Sequence, residues 1–118
     1  ILPTIAITMG DAAGIGPEII MKAMASADVH AMCHPLVIGD AERLRRAGEL
    51  VGSRLKVESL DDPKEAAFHP GNVECIDLAN IPAELPFGKT SAIAGEAAYR
   101  YIERAVRIRT GEMGVDAI

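Results

Sequence analysis

The chain has 118 residues, 49% of them hydrophobic and 25% charged, with a formal net charge of −5. That balance is the composition of one soluble globular domain and excludes an intrinsically disordered segment. With two Phe, two Tyr, no Trp, and 12 basic against 17 acidic side chains, it also lacks the stacking platforms and the basic surface of a nucleic-acid binder.

In chain order, Leu2 to Thr8 is a short β-rich run, ended by the glycine-punctuated turn Met9-Gly10-Asp11-Ala12-Ala13-Gly14-Ile15-Gly16-Pro17. Pro17 and Glu18 suit a first helical turn, which predicts a helix from Pro17 to about Ala25 with Ile19, Ile20, Ala23 and Met24 as its buried stripe. Leu36-Val37-Ile38 reads as an interior strand covered on both faces. Asp40 then caps a second helix through about Gly48, with Leu44 and Ala47 inward. Arg43, Arg45 and Arg46 on that helix, flanked by Glu42 and Glu49, read as a solvated face. Arg54 to Leu60 and Val73 to Leu78 are the next strands, with turn chemistry between them at Asp61-Asp62-Pro63 and His69-Pro70-Gly71-Asn72. Beyond a loop holding Pro82 and Pro86, the longest helix is expected from Ser91 to about Ile108, with Ala94, Ala98, Ile102, Ala105 and Ile108 along its inner stripe and Gly111 and Gly114 ending it. Val115 to Ile118 resembles the opening of another strand, so a piece of a longer protein is expected. Alternation of strand and helix is the grammar of an α/β domain with a largely parallel sheet, and no repeat or linker divides residues 1–118.

The strand, glycine loop and helix start between Ile5 and Ile19 form a unit whose backbone N–H groups and helix dipole can hold an anion. Gly10, Gly14 and Gly16 do not have the G-x-G-x-x-G spacing, and Pro17 removes one donor, so a structural turn and a ligand-facing loop both stay open. Ala83 to Thr90 matches a relaxed phosphate-loop pattern, but Ala83 replaces the first glycine, and Glu84 and Pro86 are unsuited to a phosphate cradle. Lys89, Thr90 and Ser91 can place a cation and hydroxyls for a phosphate or carboxylate, or simply cap the helix. His30, His34 and His69 lack metal-site spacing and read as loop or surface residues. Asp11 and Asp40 follow apolar runs, where α/β folds gather ligands at strand ends, and fit capping equally well. Cys33 and Cys75 lie outside any C-x-x-C pair and are expected to be reduced and structural. No apolar run reaches the roughly 18 residues of a membrane span. The N-terminus also lacks a secretory-signal pattern, so a cytoplasmic protein without membrane partners is expected.

The stretch from Ile7 to Ile19 closely resembles the opening of the 4-hydroxythreonine-4-phosphate dehydrogenase family of vitamin B6 biosynthesis. Three later segments agree in order: Val37-Ile38-Gly39-Asp40, Gly88-Lys89-Thr90-Ser91 continuing to Ala105, and Val115-Asp116-Ala117-Ile118. Ala12 departs from the Pro that many members carry there, without removing a functional group. The resemblance implies an isocitrate/isopropylmalate dehydrogenase-like fold of two α/β domains about a cleft, with this chain as its N-terminal part. It implies oxidation of a phosphorylated four-carbon hydroxy acid, such as 4-phosphohydroxy-L-threonine or threonate or erythronate 4-phosphate. Hydride would pass to NAD or NADP, a divalent metal (Zn, Mg, Co or Mn) would polarise the alcohol, and the β-keto acid product can lose carbon dioxide. The histidine metal ligands, the principal phosphate-binding residues and the catalytic lysine would lie beyond the strand that opens at Val115, leaving Asp11, Gly14 and Gly16 beside the cofactor and Lys89 and Ser91 near the substrate. A homodimer is implied as well. The rival expectations are a noncatalytic α/β binding module and a phosphate-loop nucleotide hydrolase.

Overall fold

A computed structural model describes residues 1–111 and 114–118. Its elements are β1 (Thr4–Thr8), α1 (Gly16–Met24), α2 (Ala27–Met32), β2 (His34–Gly39), α3 (Ala41–Leu50), β3 (Lys56–Leu60), a 3-10 turn at Pro63–Glu65, β4 (Asn72–Asp77) and α4 (Ala92–Thr110). The four strands form one sheet in the order β1-β2-β4-β3, with every neighbouring pair parallel. Beyond the outer edge of β1, Ala117 makes a parallel bridge with Ile5, and the Ala6 N–H donates to the Ala117 carbonyl at 2.9 Å. The segment read as a strand opening therefore begins pairing where a further parallel strand would lie.

Right-handed crossovers decide which helix covers which face. The β1-to-β2 and β2-to-β3 connections run the same way across the sheet, and α1 and α3 accordingly pack against each other on one face. From β4 the chain runs back past β2 and β1 to Ala117, so α4 lies on the other face, against β1 and β2. Covered on both sides, β2 is buried from Pro35 to Gly39, as its continuous apolar run requires. Among the described residues no helix is long and apolar enough to cross a membrane.

Three sequence readings are corrected in detail. The buried stripe of α1 is Pro17, Ile20, Met21 and Met24, while Ile19 and Ala23 face solvent. Both sides of this short helix are apolar, and docking of Pro17 selects the one that turns inward. On α4 the inner stripe is Ala94, Ala97, Tyr101, Ala105 and Ile108, whereas Ile102 is exposed and Ala98 is only half-buried. Tyr101 supplies the only large ring on that face and anchors the helix by donating its hydroxyl proton to Asn80 Oδ1 at 2.8 Å. Finally, Ala27–Met32 is helical with no buried residue, too short to show a period. His30 thus lies on a helix rather than in a loop, and His34 opens β2 with its ring stacked on Phe68.

Candidate functional site

Parallel α/β sheets offer ligands the crevice outside the carboxyl ends of strands whose connections leave for opposite faces. Here that place lies between β2 and β4, because β2 leads to α3 and β4 to α4 on the other face. The chain fills it with its own polar groups. Asp40 caps α3 by accepting the Arg43 N–H at 2.8 Å, and its second oxygen takes the Ile81 N–H at 3.0 Å. Asp77 reciprocates from β4, accepting the N–H groups of Ala41 at 3.1 Å and Ala79 at 2.9 Å. Asp40 is therefore a cap and a strut between strand ends, which decides one alternative the sequence left open. Beyond this floor stand the loops that a ligand could reach.

Two loops stand there, and they carry all the candidate site residues. The first joins β1 to α1. Asp11 Oδ1 accepts the Ala13 N–H at 2.9 Å and the Asp11 carbonyl accepts the Gly14 N–H at 3.0 Å, closing a tight turn that leaves Asp11 exposed. The N-cap position of α1 is Ile15, which has no side chain to cap with, so the positive end of the helix dipole is left open at this loop. Gly16 is required by packing: a Cβ there would sit 2.4 Å from the Met9 carbonyl oxygen. At Gly14 a Cβ would meet only the Asp11 side chain, at 3.4 Å.

The second loop runs from β4 to α4. Gly88 holds φ +82, a left-handed conformation that favours glycine. Its N–H donates to the Ala13 carbonyl at 2.6 Å, tying this loop to the first. Lys89 follows, exposed, and Ser91 caps α4 by accepting the Ala94 N–H at 3.3 Å. The structure thus brings Asp11, Gly14 and Gly16 to the same sheet edge as Lys89 and Ser91. No strand feeds directly into Ala83–Thr90, since β4 ends at Asp77, and this sets the segment apart from a phosphate loop.

One residue was misplaced by its sequence context. Arg43 is 2% exposed, not part of a solvated face. Its Nε donates to the Ala12 carbonyl at 2.8 Å and its Nη1 to the Leu85 carbonyl at 2.7 Å, and its Cζ stands 3.5 Å from the centre of the Phe87 ring. Burial, followed by the charge of Arg46, lowers its pKa, against the opposing pull of Asp40, Tyr101 and Asp11. The signal that could have found it is positional: Arg43 shares the inner face of α3 with Leu44 and Ala47. Arg45, by contrast, pairs with Glu42 at 3.1 Å in the open, and Arg46 is exposed.

The described residues do not suit a divalent ion. Among the described residues no group of three or more His, Cys, Asp or Glu is placed to hold one. His30 bonds the Met24 carbonyl at 2.7 Å, His34 is stacked on Phe68, and His69 lies exposed in a loop. A cavity of about 570 Å³ bordered by Met21, Val51 and Leu55 opens at the amino ends of β3 and β4, away from both candidate loops.

Residues 31–118 match the sequence profile of the family described as Pyridoxal phosphate biosynthetic protein PdxA. The chain is 59% identical over 117 residues to D-threonate 4-phosphate dehydrogenase of Cupriavidus necator, covering 99% of the chain and 35% of that relative. Its fold matches the crystal structure of a 4-hydroxythreonine-4-phosphate dehydrogenase from Burkholderia phymatum with a TM-score of 0.93 and 54% identity, over 94% of the chain and 34% of that protein. A 4-hydroxythreonine-4-phosphate dehydrogenase from Klebsiella pneumoniae matches with a TM-score of 0.87 and 36% identity, over 100% of the chain and 37% of that protein. The chain spans about a third of the length of these dehydrogenases. With its parallel sheet, its two strand-end loops and this profile match in agreement, the chain belongs to the PdxA family.

Proposed function

We propose that this chain forms the loop-bearing edge of an NAD(P)-linked dehydrogenase that oxidises a phosphorylated four-carbon hydroxy acid of the threonate 4-phosphate or 4-hydroxythreonine 4-phosphate type. The observation that carries the reading is the 2.6 Å bond from Gly88 N–H to the Ala13 carbonyl, which joins both candidate loops at one sheet edge in a PdxA-family chain. Asp11 has used Oδ1 on Ala13, which leaves Oδ2 to accept from a cofactor hydroxyl. Gly14 lets a ligand approach the backbone beside it, and Gly16 seats α1 against the end of β1 so that the helix dipole faces the same side. Lys89 offers an ammonium to the substrate phosphate. Ser91 accepts from Ala94 and still has its own hydroxyl proton to donate to a phosphate or carboxylate.

When bound, NAD or NADP supplies the hydride acceptor. A divalent metal and the groups that move protons would be held by residues outside this chain, as would the residues that carry any loss of carbon dioxide. We place the whole enzyme in the cytoplasm as a homodimer. The test is a turnover assay on a protein of full family length carrying this segment, with D-threonate 4-phosphate and 4-phosphohydroxy-L-threonine offered in turn with NAD or NADP and a divalent metal. Growth of reduced-nicotinamide absorbance with either substrate is expected. Its absence with both, across Zn, Mg, Co and Mn, would overturn the reading in favour of a noncatalytic module.

A further inference from the structure

We infer that Arg43 is a positioning residue that sets the spacing between the cofactor-side loop and the substrate-side loop. The inference rests on the dehydrogenase reading above. The guanidinium of Arg43 reaches the carbonyl of Ala12, between Asp11 and Gly14, and the carbonyl of Leu85, four residues before Lys89. Phe87 closes over its face at 3.5 Å, and Arg46 reaches the same loop through the Ala83 carbonyl and approaches that ring at 5.8 Å. Apart from the Gly88–Ala13 bond, the two Arg43 bonds are the polar ties that couple the two loops among the described residues.

The chemistry of this position is specific to arginine. A planar fork can donate in two directions while stacking on an aromatic ring, whereas an ammonium is a point donor without a flat face. A purely apolar filler would leave two carbonyls without their donor. The arrangement also keeps a cost that close packing alone would remove: Nη2 is buried and has no hydrogen-bond partner among the described residues. A buried cation retained with one donor unpaired is better explained by a geometric requirement on the loops than by stability.

The test uses the full-length protein carrying this segment, with Arg43→Lys and Phe87→Leu as variants. Phe87→Leu withdraws the stacking ring from a half-buried site and keeps the test available should the arginine variant fold poorly. Arg45→Lys, an adjacent arginine on α3 outside the tie, is the control. Each variant is assayed well below its melting temperature, and amide hydrogen exchange is followed in parallel. Arg43→Lys is expected to raise the KM for NAD(P) and for the phosphorylated substrate together by about tenfold, a change equivalent to roughly 1.4 kcal/mol in each binding step. Exchange at Gly88 and Ala13 should quicken while β2 amides stay protected, and Phe87→Leu should move the same quantities less. Arg45→Lys should leave both KM values within about twofold. Lower stability with both KM values unchanged, or unchanged exchange at Gly88, would overturn the inference and leave the dehydrogenase reading standing. A wild-type protein without turnover would overturn that reading, and the catalytic purpose of the tie with it.

Discussion

Gly14 lies in the β1–α1 loop and Gly16 two residues on opens α1, yet the structure assigns them opposite sensitivities. At Gly16 a Cβ would stand 2.4 Å from the Met9 carbonyl oxygen, with main chain on both sides of the contact. Non-bonded heavy atoms settle near 3.5 Å, so Gly16→Ala must move α1 or the end of β1 by about 1 Å. Overpacking of this kind costs about 1–3 kcal/mol. The upper end applies because no rotamer can relieve it, and the gain of up to ~1 kcal/mol from a less flexible unfolded chain offsets only part. The expected net loss is ~2 kcal/mol, read as a lower Tm and a lower urea midpoint. Gly14→Ala meets the Asp11 side chain at 3.4 Å, an ordinary contact, and its φ is outside the left-handed region. It should leave stability within ~0.5 kcal/mol of wild type or raise it slightly. Urea unfolding followed by circular dichroism reads both variants. The proposed cofactor role adds that Gly14→Ala raises the KM for NAD(P) without lowering Tm. A Gly16→Ala protein as stable as wild type would refute the packing account. A Gly14→Ala protein that loses ~2 kcal/mol would show that this glycine too is structural.

Other consequences can be checked alongside. Burial pushes the Cys75 thiol well above its ordinary 9.0 and the Tyr101 phenol well above its ordinary 10.0, with the charge of Asp77 adding to the first shift and that of Asp40 to the second. The folded state therefore holds protons that the unfolded state releases. The associated stability is fully present below pH 9 and falls as pH rises beyond it, by up to ~1.4 kcal/mol per pH unit for each group. Tyr101→Phe should flatten the part of this decline above pH 10 in a series of urea titrations, and an unaltered slope would refute the assignment. The same burial predicts that iodoacetamide labels half-buried Cys33 well before Cys75, as peptide mass mapping would show. Lys89→Ala should change stability by less than ~0.5 kcal/mol and raise the KM for the phosphorylated substrate. Ser91→Ala should also cost about 1 kcal/mol as α4 loses its cap. Unchanged KM in Lys89→Ala would remove that residue from the site.

How far the fold could be read from sequence depended on whether an element's pattern had a single solution. Leu36-Val37-Ile38 could only be a buried strand, and Asp40 had both the position and the chemistry of a cap; both stand as expected. α1 and α4 were recognisable as helices, but each carries apolar residues on more than one side. Ile19 at 54% exposed and Ile102 at 55% are as hydrophobic as the residues that turned inward. Periodicity reports spacing and not phase, and phase was decided by tertiary anchors: Pro17 buried at the start of α1 and the Tyr101 hydroxyl reaching Asn80. α2 buries nothing, so it had no stripe to display.

The site divides along a different line. Asp11, Gly14, Lys89 and Ser91 lie in loops with unusual local composition and Gly16 opens the helix after the first of them, and such segments can be noticed one at a time. What joins them cannot, because Arg43 and Leu85 are 42 positions apart and meet only when β2 and β4 become neighbours. Local context even pointed the wrong way, since an arginine between Glu42 and two further arginines has the charge pattern of a wetted surface. A sequence in which Arg43 lies one turn beyond a strand-end cap, on the same face as Leu44 and Ala47, contains a conflict between helix position and polarity. Such conflicts tend to mark places where folding has been made to serve something other than stability. On α3 the conflict is resolved by two loop carbonyls and an aromatic ring, all three belonging to the edge where the candidate ligands would meet.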